Sequence, residues 1–177
     1  MLIELLTAPV SPETLASLVN LLLDCVEGGA SIGFLAPLAK DEAIVYWHHV
    51  ITDVSDGRRL ILVARETPEG PVIGSAQLLA ESRANGRHRA EIQKVLVLRP
   101  YRRRGLAAAL VHRIEAEAQA RRLTLLFLDT SDGPSGARPF YAFLGYTYVG
   151  GIPGYALDPD GTPAANAIYY KRLALEP

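Results

Sequence analysis

The chain has 177 residues, enough for one domain with a full core and no need of disulfide or metal staples. Hydrophobic residues make up 49% and charged residues 21%, a globular composition that excludes a disordered or fibrous chain. With 18 Lys and Arg against 19 Asp and Glu, the net charge is −1, whereas domains that grip nucleic acid are usually basic throughout.

Residues 2 to 8 read as a short strand. The opening "MLIELLTAPVSPE" lacks a cationic start and meets an acid and a proline early, unlike a leader peptide. Ser11-Pro12-Glu13 reads as a helix start, with a capping hydroxyl and proline in the first turn. Leu15, Leu18, Val19, Leu22 and Val26 recur at helical spacing until Gly28-Gly29 stops the run. Cys25, the one cysteine, lies in that apolar run, so it reads as a small buried hydrophobe and rules out an intrachain disulfide. A second helix is expected over residues 39 to 55, closed by Asp56-Gly57.

The period then changes. "RRLILVARE" and "PVIGSAQLLAE" read as strands joined in a hairpin by "TPEGP", and "AEIQKVLVL" adds a third strand to an antiparallel meander. After "RPYRRRG", Leu106, Leu110, Ile114 and Ala118 sit four apart on one apolar helix face. "LTLLFLDT" is the continuous apolar run of a strand covered on both faces. Residues 90 to 130 therefore read as a βαβ unit with parallel strands. A short helix from Ser135 to Leu144 ends at Gly145, with Pro139 tolerable only in its first turn. Two more strands, around "YTYVGGIPGY" and "NAIYYKRLAL", flank the turn-rich "DPDGTP". The sum is one α+β domain over residues 1–177 with a mixed, mostly antiparallel twisted sheet. No run approaches the roughly 20 apolar residues of a membrane span, and the expected location is the cytoplasm.

The arginine run is the feature to explain. It lies between a strand and a helix of a βαβ unit, where open α/β sheets bind ligands. A helix start offers free N–H groups and partial positive charge to an anion, and Gly105 lets backbone approach it. No Walker loop or G-x-G-x-x-G pattern is present. Arg102-x-x-Gly105-x-Ala107, preceded by "VLVL" and followed by "ARPFYAFLGY", resembles the pyrophosphate cradle and closing motif of the Gcn5-related N-acetyltransferase (GNAT) superfamily. Ala107 stands where glycine is commoner, and both fit.

"GGASIGFLA", "RAEIQKVLVL", "FYAFLGYTYVGGIPGYALDPDG" and "AIYYKRL" extend the resemblance over nearly the whole chain, to the tabtoxin-resistance acetyltransferase branch. The resemblance implies the GNAT fold, with acetyl-coenzyme A as cosubstrate. It also implies transfer of the acetyl group to an amine or hydroxyl of a small molecule such as a β-lactam amino acid, by direct attack in a ternary complex. The backbone of Val95, Leu96 and Val97 would follow the pantetheine arm, and Arg102, Arg103, Arg104, Gly105, Leu106, Ala107 and Ala108 would hold the pyrophosphate. Tyr141 would protonate the leaving thiolate, its phenol being protonated at neutral pH.

Glu91 and Asp129 each interrupt an apolar strand of the βαβ unit, and they are candidates to take a proton from the acceptor or to bind a cationic one. Glu91 paired with Arg89 or Lys94, and Asp129 capping the next helix, are the structural alternatives. Gln93 shares the Glu91 side of its strand. Phe34, Trp47 with its neighbour Tyr46, and Tyr155 are candidate substrate walls. Metal ligation is not expected, since His48 and His49 diverge on a helix and His88 and His112 lack partners. A different amine acceptor (aminoglycoside, polyamine, amino acid or protein N-terminus) and a non-catalytic acyl-coenzyme A sensor are the rival readings. A lid formed by "GIPGYALDPDGTPAAN" favours a small molecule over a peptide. A homodimer is expected through the strand-rich C-terminal end.

Overall fold

The structure is a computed structural model, and it describes residues 1–132 and 137–174. Ser11 caps the first helix as expected: its hydroxyl accepts the Thr14 N–H at 3.2 Å, and Pro12 is the first helical residue. The elements run β1 (Leu2–Leu5), α1 (Pro12–Glu27), α2 (Lys40–Ser55), β2 (Arg59–Arg65), β3 (Gly74–Ala80), β4 (Arg89–Val97), α3 (Leu106–Ala120) and β5 (Leu125–Ser131). They continue with α4 (Ala137–Phe143), β6 (Thr147–Gly150), β7 (Ala156–Leu157), β8 (Pro163–Ala164) and β9 (Asn166–Arg172).

Seven strands form one sheet in the order β1-β2-β3-β4-β5-β9-β6, and β7 and β8 form a small separate hairpin. Every pairing in the large sheet is antiparallel except that of β4 with β5, which α3 connects. This is the α+β architecture read from the sequence. The first strand is shorter than residues 2 to 8. Ser135 lies outside the described residues; within them, α4 places Pro139 third, in the first turn, where a missing N–H has no intrahelical partner to lose.

Two cores follow from the sheet's two faces. Leu60, Leu62 and Ala64 of β2 point toward α3, packing with Leu106, Leu110 and Ile114. Ile61 and Val63 point the other way, toward α1 and α2, packing with Leu18, Leu22 and Trp47. That double cover explains why β2 reads as an unbroken apolar run. Each fully buried leucine contributes about 1.5–3 kcal/mol by leaving water. No described helix is long and apolar enough to cross a membrane.

One irregularity positions the site. Between β3 and β4 the register runs Ser75↔Leu96 and then Gln77↔Gln93, so β4 carries one extra residue. Lys94 takes it up with φ 47°, the left-handed region that side chains other than glycine seldom adopt. The bulge inverts the alternation. Ala90 and Ile92 face the α3 core before it, whereas Val97 faces that core after it and Leu96 faces α1 and α2. Pairing of β4 with β5 covers Arg89–Glu91 against Leu125–Phe127 and ends there. Beyond that point the two parallel strands part.

Candidate active site

The gap between β4 and β5 is a cavity of about 240 Å³, bordered by Glu91, Gln93, Lys94, Asp129 and Tyr141. Ser31 and Ile32 of the α1–α2 loop, Tyr46 of α2 and Arg59 of β2 close its other side. A second cavity of about 220 Å³ shares Ser31, Ile32, Lys94, Asp129 and Thr130 with it and runs beneath the β7–β8 hairpin, where Tyr155 and Asn166 line it. The structure therefore brings together Glu91, Asp129 and Tyr141, which lie on three different elements.

Glu91 is half-buried, and burial raises its carboxyl above the ordinary range, with the nearby Asp129 charge adding to the rise. A hydrogen bond from Gln93 Nε2 to Glu91 Oε2 (2.8 Å) opposes that shift. The pairing of Glu91 with Arg89 does not form: Arg89 Nη2 reaches Glu81 at 3.1 Å instead. Gln93 is held at its other end by Arg59, whose Nη1 donates to Gln93 Oε1 and to Gln77 Oε1, both at 2.7 Å. Arg59 is in turn fixed by Asp53 Oδ2, at 3.2 Å from both Nε and Nη2. Both ends of the Gln93 amide are therefore engaged within the protein, while the residue still borders the cavity.

Asp129 lies within β5 opposite Ile168, and it is exposed to the cavity rather than buried. Asn166 Nδ2 sits 3.5 Å from Asp129 Oδ2, and the Oδ1 of the same asparagine accepts the Ile152 N–H at 2.8 Å. Asn166 thus ties the base of the β7–β8 segment to the carboxylate.

Tyr141 is 7% exposed and packs against Phe140, Tyr146 and Tyr169. Burial drives its phenol well above the usual tyrosine range, so the proton stays on the oxygen at any working pH. Its ring borders the cavity, and its hydroxyl has no hydrogen-bond partner among the described residues.

The aromatic walls divide. Phe34 lines neither cavity and packs edge-on against Tyr46, with ring centroids 5.3 Å apart, whereas Tyr155 lines the second cavity and is 53% exposed at its rim. Trp47 is a correction: it has no exposed surface and fills the core behind Tyr46, which faces the cavity in its place. Residue order explains the difference, because neighbours on a helix point about 100° apart and only one can face the sheet opening.

Lys94, expected only as an ion-pair partner of Glu91, lines both cavities, and Arg59 and Asn166, which were not expected here, line one each. Lys94 Nζ lies 5.9 Å from the ring centres of both Phe34 and Tyr46, and burial lowers its ammonium pKa. A lysine inside "IQKVLVL" was as visible a break in an apolar strand as Glu91. Arg59 and Asn166 carried no such signal, since their partners lie far away in sequence.

On the far side of the gap lies a larger groove of about 610 Å³, lined by Val97, Arg102, Arg103, Gly105, Leu106, Ala107 and Ala108 and, from α4, by Pro139, Phe140 and Phe143. Gly105 caps α3 with φ 80°, and Arg103 also has positive φ (62°), so the turn wraps sharply around the helix start. The leading N–H groups of α3 open into this groove and suit a phosphate. The arginines differ among themselves. Arg102 Nε donates to the Val97 carbonyl at 3.0 Å, bracing the turn against β4. Arg104 lies over the Tyr101 ring, 5.3 Å from its centre. The side chains of Leu96 and Leu106 are buried in the cores, which leaves their backbone as the part able to meet a ligand.

A sheet parted at its parallel pair, with a helix start at the mouth of the gap, defines an acetyltransferase scaffold. The chain belongs to the acetyltransferase (GNAT) family, whose model matches residues 17–146. It is similar to an uncharacterized N-acetyltransferase of Azospirillum brasilense from the hisH-hisA intergenic region, 32% identical over 111 residues. That match covers 62% of this chain and 63% of the relative, so the chain spans less than two thirds of the curated relative's length.

Solved structures share the fold. A ribosomal-protein-alanine N-acetyltransferase of Brucella melitensis matches with a TM-score of 0.78 and 21% identity, over 98% of this chain and 100% of that one. A phosphinothricin acetyltransferase of Sinorhizobium meliloti, solved in complex with acetyl-coenzyme A, matches with 0.77 and 17%, over 98% and 90%.

Proposed function

We propose that this protein is an acetyl-coenzyme A-dependent N-acetyltransferase that acetylates the amine of a small molecule. The acceptor is a tabtoxin-like β-lactam amino acid or a related antimetabolite, which makes the enzyme a detoxifying one. The observation that carries this reading is the parting of β4 from β5 after Glu91, with Glu91, Asp129 and Tyr141 around the opening and the Gly105 groove at its mouth.

In this reading the backbone along Val95–Val97, left without a β5 partner, receives the pantetheine arm, and the N–H groups after Gly105 hold the pyrophosphate. Arg103 and Arg104 add long-range attraction for the anion. The acceptor enters beneath the β7–β8 hairpin. Its ammonium lies by Asp129 and gives up a proton to Glu91, whose raised pKa suits a base better than an ordinary carboxylate does. The amine attacks directly in the ternary complex, and Tyr141 supplies the proton for the departing thiolate.

The two acceptor cavities, of about 240 and 220 Å³, support a small molecule over a protein N-terminus. The presence of carboxylates and a cation in one opening supports a zwitterion over a polyamine. A thiol-release assay over polyamines, aminoglycosides, amino acids and β-lactam amino acids tests the proposal. Turnover confined to the last class is the expected result, and tight cofactor binding with no turnover would favour the sensor reading.

The same reading keeps the protein in the cytoplasm, with Cys25 reduced, and pairs two copies along the edge strand β6, where Val149 is 63% exposed. Sedimentation analysis at micromolar concentration tests the pairing.

A further inference from the structure

The chain contains three lysines against 15 arginines, and one of the three, Lys94, stands in the acceptor cavity. Lys40 is an exposed residue at the start of α2. Lys171 is occupied: its Nζ donates to both Glu115 oxygens at 2.9 Å and to the Leu144 carbonyl at 2.8 Å. Lys94 makes no hydrogen bond or ion pair among the described residues, and its Nζ lies to one side of the Phe34–Tyr46 pair, 5.9 Å from each ring centre. It borders both acceptor cavities and directly precedes Val95 on the strand assigned to the pantetheine arm. An amine has therefore been built into the place where an incoming amine must stand.

We propose that Lys94 is itself an acetyl acceptor, modified by the enzyme's own bound acetyl-coenzyme A when no external acceptor fills the cavity. This rests on the acetyltransferase reading above. The Lys94 ammonium first releases a proton to Glu91. Its nitrogen lone pair then forms a bond to the thioester carbonyl carbon, the carbon–sulfur bond breaks, and the acetyl group remains on Nζ as an amide. The thiolate takes one proton, through Tyr141, and leaves as free coenzyme A, while the second proton passes to solvent. No oxidant or metal is required.

Several groups face Nζ. Glu91 and Asp129 stabilise its charge and Arg59 opposes it, while Tyr46 and Tyr141 close the surroundings. Burial is the largest influence and favours the neutral, nucleophilic amine. Acetylation would remove the positive charge opposite the carboxylates and fill part of a cavity of about 240 Å³. An enzyme left with cofactor and no acceptor would so close its own slot.

The test is incubation of the whole protein with acetyl-coenzyme A alone, read by peptide mass spectrometry and by thiol release. The expected result is a burst of coenzyme A stoichiometric with protein, with the added acetyl group on Lys94. Its rate should exceed that at Lys40 by at least about tenfold, the least expected of an amine held beside the thioester rather than meeting it by diffusion. Lys94→Arg, which keeps the charge without a comparable nucleophile, should abolish the burst. Labelling of Lys40 at an equal rate would mark simple solution chemistry and overturn the proposal. So would an unmodified Lys94 in protein that calorimetry shows to bind acetyl-coenzyme A. Failure to bind the cofactor at all would remove the acetyltransferase reading as well.

Discussion

Gln93 donates its amide to Glu91 at 2.8 Å while accepting from Arg59 at 2.7 Å, so one side chain links the candidate base to a part-buried guanidinium. That link crosses three elements, from Asp53 at the end of α2 through Arg59 on β2 to β4. Replacing Gln93 with alanine removes a hydrogen bond to the charged carboxylate and therefore raises the Glu91 pKa further. Activity that needs ionised Glu91 is present above that pKa and lost as pH falls through it. The acid limb of kcat/KM should then lie at higher pH than for an ordinary carboxylate, and move higher still in Gln93→Ala. An unmoved limb would show that Glu91 is not the base.

Tyr141→Phe removes one hydroxyl that has no partner among the described residues and leaves the ring stack with Tyr146 and Tyr169 in place. Thermal stability should change little. Loss of general-acid assistance should lower kcat about 100-fold, with the KM for acetyl-coenzyme A nearly constant. Full turnover in this variant would dismiss the phenol as proton donor.

Gly105→Val isolates backbone strain, because a Cβ at this position would meet nothing within 4 Å. At φ 80° the substitution should cost about 1–2 kcal/mol in the turn, weakening acetyl-coenzyme A binding about tenfold. Calorimetry that returned the wild-type affinity would move the pyrophosphate elsewhere.

Gly151→Ala probes the hairpin over the second cavity. An added Cβ would come within 1.9 Å of the Asn166 carbonyl oxygen, so the β7–β8 segment or β9 must shift. The shift disturbs the Ile152–Asn166 hydrogen bond and, through Asn166, Asp129. The KM for the acceptor should rise several-fold while the affinity for acetyl-coenzyme A stays the same. An unchanged acceptor KM would mean that the hairpin does not border the acceptor.

Much of the molecule is legible in its sequence because the signals are local. Apolar spacing sets α1 and α3, Ser11-Pro12 sets a helix start, and the change of period at residue 58 announces the meander. The Arg-Gly turn owes its shape to two adjacent local facts, a positive φ at Gly105 and a helix that begins at Leu106. Glu91 and Asp129 stand out for the same reason, as charges set in apolar strands. What each carboxylate meets is not local. Gln93 could be placed beside Glu91 by strand alternation, but its hold on Arg59 depends on how β2, β3 and β4 align.

The bulge at Lys94 was beyond sequence reading, because an extra residue in one strand is defined only against its partner. It inverts the inward and outward faces of the rest of β4. With it comes the parting from β5, which turns two neighbouring strands into the walls of a cavity. Of the two expected walls Tyr46 and Trp47 only the first faces the cavity, because helix rotation, fixed by packing on β2, decides which of two adjacent aromatics is buried. Sequence alone determined the fold class, the family resemblance and the Arg-Gly turn at the start of α3, which depend on short-range periodicity and backbone freedom. Tertiary structure alone decided the cavity between β4 and β5, because its walls come from α1–α2, β2, β4, β5 and the β7–β8 hairpin, and only packing brings them within reach of one another.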